Sequence, residues 1–267
     1  IPNPGWPNFY MIPMSQAVKY RFYPLRVKAG FVPQLEDIES KITKKTKVIL
    51  INTPANPTGA VIPEKIIRQI VKLAQKYDLF ILSDESYEDI IFEGTHFSPY
   101  VLDQKQIIIV RSCSKSYAMT GWRVGYTISS KEIAEKLMEL NECQIACVPS
   151  MAQMAAKAAV EGSQECVRQM VKSYKKRRDL VIRLLKAYNL YSYAPQGAFY
   201  ILIDISRSGL NSDEFASQLI LKKHVSVAPG STFVSRARHY VRVCFAASES
   251  DISEGLKRLA QFVKHGA

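Results

Sequence analysis

The sequence has little that would support cross-linking, metal binding or membrane insertion. Its five cysteines, Cys113, Cys143, Cys147, Cys166 and Cys244, are odd in number, and no two stand at C-x-x-C spacing. That spacing argues against a disulfide framework or a zinc site and fits a reducing compartment, so a cytoplasmic location is expected. The four histidines, His96, His224, His239 and His265, are isolated from one another. Surface or satisfied core positions are expected for them, and no metal. No apolar run approaches the roughly 18 residues that a membrane span needs. The opening Ile1-Pro2-Asn3-Pro4-Gly5 has neither the basic nor the apolar stretch of a signal peptide. No segment matches G-x-x-x-x-G-K-[ST] or G-x-G-x-x-G, which removes the main support for phosphoryl transfer and for dinucleotide binding.

What is present is an ordinary globular composition: 267 residues, 47% hydrophobic and 22% charged, enough for one large domain or for a medium and a small one. Thirty-six basic against 24 acidic residues leave a net charge of +12, which raises the question of nucleic acid. The basic residues are spread along the chain, however. The densest cluster, Lys175-Lys176-Arg177-Arg178, lies within a helical pattern and is expected to be a solvated face. No nucleic-acid partner is expected, and the positive balance suits anionic cofactors and substrates.

Residues 47–52 form a continuous apolar run of the kind found in buried parallel strands. A turn-rich segment, 53–59, follows, and Pro63 stands where a first helical residue would be. Ile66, Ile67, Ile70, Ala74 and Tyr77 recur at helical spacing and predict a helix to about Asp78. Further strands are expected at 79–83, 106–111 and 124–128. Helices are expected at about 132–141, 151–161 and 164–188, then strands at 199–203, 225–228 and 240–245, with helices at 212–222 and 250–264. This predicts an α/β fold: a mostly parallel sheet with helices on both faces in residues 1–147, then linking helices and a smaller C-terminal α+β domain in 148–267. Residues 1–4 read as the tail of a strand, so the chain is expected to continue upstream.

Polar residues cluster just past the buried strands. Asn56 follows the first, Asp84 and Tyr87 the second, and Ser112, Ser114 and Lys115 the third, with Arg123 eight residues beyond Lys115. Ligands of open α/β sheets bind outside the carboxyl ends of the strands. An amide, a carboxylate with a phenol, and hydroxyls with a lysine suit pyridoxal phosphate (PLP), which needs a lysine for a Schiff base, an acid for its pyridine nitrogen and an anion site for its phosphate.

Asn56-Pro-Thr-Gly59, Ser83-Asp-Glu-Ser-Tyr87 and the segment from Ser112 to Gly125, with Ser-Lys-Ser and Gly-Trp-Arg, resemble the signature segments of the class I and II PLP-dependent aminotransferases, of the aspartate-aminotransferase fold type. Gln196-Gly-Ala-Phe-Tyr200 and Val241-Arg242 resemble two later segments of that family. The resemblance implies a PLP-transferase-like fold and transfer of an amino group between an amino acid and a 2-oxo acid. It implies that Lys115 binds PLP and acts as base and acid, that Asp84 pairs with the ring nitrogen, and that Tyr87 and Asn56 bond the ring oxygen. Ser112, Ser114 and Arg123 would hold the phosphate, Trp6 would stack on the ring, and Arg242, with Asn56, would bind the substrate carboxylate. It also implies a homodimer whose upstream segments help to build the site. Two alternatives remain: another PLP reaction on the same fold, such as a β-lyase or synthase, and a non-catalytic basic binding protein. Phe199 and Tyr200 are expected to be core residues.

Overall fold

A computed structural model describes residues 1–265. In chain order the elements are β1 (Pro2–Asn3), α1 (Asn8–Ser15), β2 (Tyr23–Pro24), α2 (Leu35–Glu39), β3 (Val48–Asn52), α3 (Glu64–Lys76), β4 (Phe80–Asp84), β5 (Ile107–Ser112), α4 (Cys113–Ser116), β6 (Gly125–Ile128), α5 (Lys131–Ile145), α6 (Ser150–Glu161), α7 (Glu165–Ala187), β7 (Tyr200–Asp204), α8 (Ser212–Lys223), β8 (Ala228–Pro229), β9 (Tyr240–Cys244) and α9 (Glu249–His265). They form two compact units, each discontinuous in sequence. The first holds residues 1–34, 55–60 and 172–267, and the second 35–54 and 61–171.

The second unit is built on a four-stranded sheet of order β3-β4-β5-β6. The first three strands are parallel and β6 runs antiparallel to β5. β-Branched isoleucines fill the middle: Ile51, Ile81, Ile107 and Ile109 are almost wholly buried, as are Ile67 and Ile70 on α3. Of the stripe that predicted this helix, Ile67, Ile70 and Ala74 face the core, whereas Ile66 is half-buried and Tyr77, at the C-cap, is exposed. Pro63 sits one residue earlier than expected, at the N-cap, with extended backbone (φ −62°, ψ 147°). A second cluster, Cys113, Met119, Val124 and Ala152, anchors the turn after β5. In contrast α5 and α6 leave Met138, Met151 and Met154 largely exposed.

In the first unit β7, β9 and β8 form an antiparallel sheet of order β7-β9-β8. Its core joins Ile201, Ile203 and Val241 to Phe215 of α8 and Leu259 of α9, and the Phe215 and Phe262 rings meet edge to face at 5.1 Å. α8 opens with a reciprocal capping box between Asn211 and Glu214.

The basic cluster on α7 departs from its expectation as a solvated face. Lys175 and Lys176 are exposed, but Arg178 is only 3% exposed. Four basic residues in succession cannot share one helix face, because each advances about 100° around the axis. Among the described residues no helix is long and apolar enough to cross a membrane.

Candidate functional site

Parallel strands bring their carboxyl ends to one side of a sheet, and β4 and β5 use theirs for polar residues. Asp84 ends β4 in register with Val110 of β5, two residues before Ser112. The Asp84 Oδ1 accepts hydrogen bonds from Ser86 N–H at 3.0 Å and Ser86 Oγ–H at 2.6 Å. Burial raises the Asp84 carboxyl above its ordinary range, against the lowering effect of the two Ser86 bonds, and the Glu85 charge adds to the rise. A desolvated carboxylate of this kind is a ready partner for a cation. Tyr87, on the turn after β4, is buried.

At the end of β5 the Ser112 hydroxyl caps α4, accepting from Ser114 N–H at 3.2 Å. Ser114 is buried and Lys115 half-buried. The chain then returns to β6 through two residues in left-handed conformation, Ala118 and Arg123, with φ of 53° and 51°. Side chains other than glycine pay for that conformation, and such strain concentrates at functional sites. Arg123 donates from Nη1 to the Thr120 carbonyl at 3.0 Å. Ser112, Ser114 and Arg123 line one cavity of about 720 Å³, together with Gly125 of β6 and Asn141 of α5. Gly125 is required there, since a Cβ would stand 2.6 Å from the Arg111 carbonyl oxygen.

Sequence reading missed the charged network beside Asp84. Glu85 is fully buried. Its Oε1 accepts from Ser83 and Ser98 hydroxyls at 3.2 and 2.8 Å, and its Oε2 from Arg111 Nη2 at 2.9 Å. His96 Nε2 lies 3.0 Å from Oε2, within ion-pair reach though off the line of a hydrogen bond. Burial works to raise the Glu85 carboxyl, but His96, Ser98 and Arg111 together hold it below the usual range. Glu88 lies 3.7 Å from Arg111, yet burial and the Asp89 charge push it up to about 8. No spacing rule singles out these residues, because 85, 96, 98 and 111 meet only once β4, β5 and the intervening loop have folded.

The first unit holds the other expected residues. Arg242, on β9, lies between two rings, its guanidinium carbon 4.2 Å from the centroid of Tyr200 and 4.7 Å from that of Phe233. Its Nη1 donates to Asn56 Oδ1 at 2.9 Å, while its Nε is buried without a hydrogen-bond partner. A flat guanidinium with an unused donor along its edge is shaped for a carboxylate. Tyr200 and Phe199 are buried, as expected, and Tyr200 also forms one wall for Arg242. Trp6 is half-buried just ahead of α1, and its carbonyl accepts from Phe9 N–H at 3.0 Å. The expected residues thus fall into two sets: Asp84, Tyr87, Ser112, Ser114, Lys115 and Arg123 in the second unit, and Trp6, Asn56 and Arg242 in the first.

Comparison with known proteins bears on the family. The family model for class I and II aminotransferases matches residues 1–259. A probable aspartate aminotransferase of Methanocaldococcus jannaschii is 36% identical over 262 residues, covering 96% of this chain and 68% of the relative. A probable aspartate/prephenate aminotransferase of Thermus aquaticus is 36% identical, covering 89% of this chain and 62% of the relative. The chain thus spans about two thirds or less of the length of these relatives. The crystal structure of an aromatic aminotransferase from Pyrococcus horikoshii superposes with a TM-score of 0.94 at 31% identity, over 98% of this chain and 72% of that one. The fold is the α/β architecture of the aspartate aminotransferases, and the chain belongs to the class I and II aminotransferase family.

Proposed function

We propose that the protein is a PLP-dependent aminotransferase that moves an amino group between an amino acid and a 2-oxo acid. The observation that carries this reading is the half-buried Asp84 carboxylate, set one strand away from Ser112, Ser114, Lys115 and Arg123 at the carboxyl ends of β4 and β5.

The donor chemistry fits the cofactor. Asp84, raised by burial, gains most from a cationic ring nitrogen. Two hydroxyls and an arginine on one cavity suit a phosphate dianion. Lys115 supplies the amine and Tyr87 a phenolic donor for the ring oxygen. Asn56 and Trp6 complete the proposed cofactor set, as a second donor to that oxygen and as a stacking ring. When bound, PLP supplies an aldehyde that condenses with amines and a ring that withdraws electrons from the substrate α-carbon. The protein's part is positional and electrostatic. Asp84 keeps a proton on the ring nitrogen. Lys115 Nζ takes the substrate α-proton and returns it on the other side of the transfer, as general base and then general acid. Arg242, held flat between Tyr200 and Phe233, binds the α-carboxylate common to amino and 2-oxo acids, and Asn56 fixes its edge.

Aspartate, prephenate and aromatic side chains are named among the relatives, and all of these substrates share that α-carboxylate. For the whole protein we further propose a cytoplasmic homodimer with no nucleic-acid partner, residues 1–147 belonging to a larger cofactor domain and 148–267 to linking helices and a smaller one. The test is a half-reaction. Mixed with an amino acid and no acceptor, the holoenzyme should convert its cofactor to the amine form and release one 2-oxo acid per site. Continuous release of ammonia would instead identify a lyase.

A further inference from the structure

Arg178 is the basic residue of the α7 cluster that the solvated-face reading does not explain. A guanidinium that is 3% exposed is costly to bury unless its donors are well used. Its Nη1 donates to the carbonyl oxygen of Pro195 at 3.2 Å, and its Nε lies 2.7 Å from Asp179 Oδ1. One turn earlier on the same helix, the Tyr174 ring lies 5.3 Å from the Phe199 ring. α7 thus grips the segment 195–199 at two points.

That segment holds the carboxylate-binding pair in two ways. Gln196 and Gly197 both donate their N–H groups to the Gly59 carbonyl at 2.9 Å. Gly59 has φ of +68°, and a Cβ on it would lie 2.5 Å from Pro195 Cβ and 2.7 Å from the Gly197 carbonyl oxygen. Its own N–H closes the loop by bonding the Ala55 carbonyl at 2.7 Å, and inside that loop stands Asn56, which accepts from Arg242. The segment also runs directly into Tyr200, whose ring covers one face of the Arg242 guanidinium.

We propose that Arg178 is a positioning residue that sets affinity for carboxylate substrates: it fixes the 195–197 turn, which places Asn56 and Tyr200 against Arg242. This rests on the aminotransferase reading of Arg242 given above. Arg178 touches no reacting atom, so its loss should appear in binding more than in turnover.

The test uses the holoenzyme of the intact protein. It measures the affinity of two non-reacting carboxylates, maleate and 3-phenylpropionate, by calorimetry, alongside KM, kcat and borohydride trapping of the cofactor. With whichever carboxylate the wild type binds more tightly, Arg178→Met should weaken binding and raise KM by about tenfold or more. Its kcat should fall by less than about threefold, with the cofactor still trapped on Lys115. Arg178→Lys, which can still donate to the Pro195 carbonyl, should recover most of the affinity. Should Arg178→Met fail to fold, Gly59→Ala pushes the same loop off the same turn and should show the same loss. Carboxylate affinity unchanged from wild type in Arg178→Met, or in Gly59→Ala where that variant stands in, would overturn the proposal, as would Arg178→Lys no better than Arg178→Met. If the wild type itself bound neither carboxylate and trapped no cofactor on Lys115, the aminotransferase reading would fail instead.

Discussion

Asp84 and Glu85 are neighbours in sequence with opposite electrostatic surroundings. Burial lifts the Asp84 carboxyl, whereas Glu85 has His96, Ser98 and Arg111 to hold its charge. Environments that push two adjacent carboxyls apart assign them different work. Asp84 is left wanting a cation, and Glu85 already has one. Asp84→Asn keeps the shape and removes the charge, so kcat should fall by about two to three powers of ten, the scale of a broken buried charge pair. The cofactor-free variant should melt no lower than wild type at neutral pH, because burial without a cation disfavours charge on Asp84. Near-normal turnover in this variant would remove Asp84 from the mechanism. Lys115→Ala should abolish both turnover and cofactor trapped by borohydride, and trapping on a different lysine would reassign the role. Glu88 gives a pH prediction. Its folded value of about 8 lies above its ordinary 4.5, so the folded protein holds this proton more tightly than the unfolded chain. Its contribution to stability is full below about pH 4.5 and is lost as pH rises through about 8, on the order of 5 kcal/mol in all. Glu88→Gln copies the protonated form, so that variant should be more stable than wild type at pH 8.5 and nearly equal to it at pH 4.5. Melting curves at both values decide the matter.

At the scale of elements, what the sequence revealed is what local chemistry encodes. The three parallel strands were legible because Ile, Val, Leu and Phe run unbroken through 48–51, 80–82 and 107–110, and their ends were legible because polar residues stop those runs. The Ser-x-Ser-Lys turn was legible because Ser112 must both end a strand and cap α4. α1 escaped notice because Pro13 interrupts its pattern and its exposed face carries apolar residues. The Glu85 network escaped because its members come from β4, β5 and the loop between them. It joins β4, which ends at Asp84, to β5, which leads through Ser112 into Lys115. Glu85→Ala should therefore cost about 3–5 kcal/mol by leaving Arg111 uncompensated. The value can be read from denaturant unfolding, and a loss under 1 kcal/mol would show that solvent replaces the carboxylate at little cost.

For the whole molecule, composition and charge gave less than motif order did. A net charge of +12 would have suited a nucleic-acid binder as well, whereas the ordered segments from Asn56 to Arg242 suited one family. The discontinuous units lay beyond any linear reading, because residues 55–60 depart from the segments flanking them in sequence to join residues 172–267. Assembly is where the remaining apolar surface counts. Met138, Met151 and Met154 are 68%, 78% and 65% exposed on α5 and α6. Side chains of this kind, left in water, mark surfaces that associate. The proposed homodimer gives them a use: a second copy would cover them in the intact protein. Sedimentation of the intact holoenzyme should give twice the mass of one chain. The double change Met151→Asp, Met154→Asp should shift that mass toward the monomer, because a carboxylate buried at a contact costs several kcal/mol. The melting temperature of the monomeric form should stay within a few degrees of wild type, since these positions face solvent in the single chain. A variant that still sedimented as a full dimer would place the contact on another face, and a wild type that sedimented as a monomer would remove the dimer.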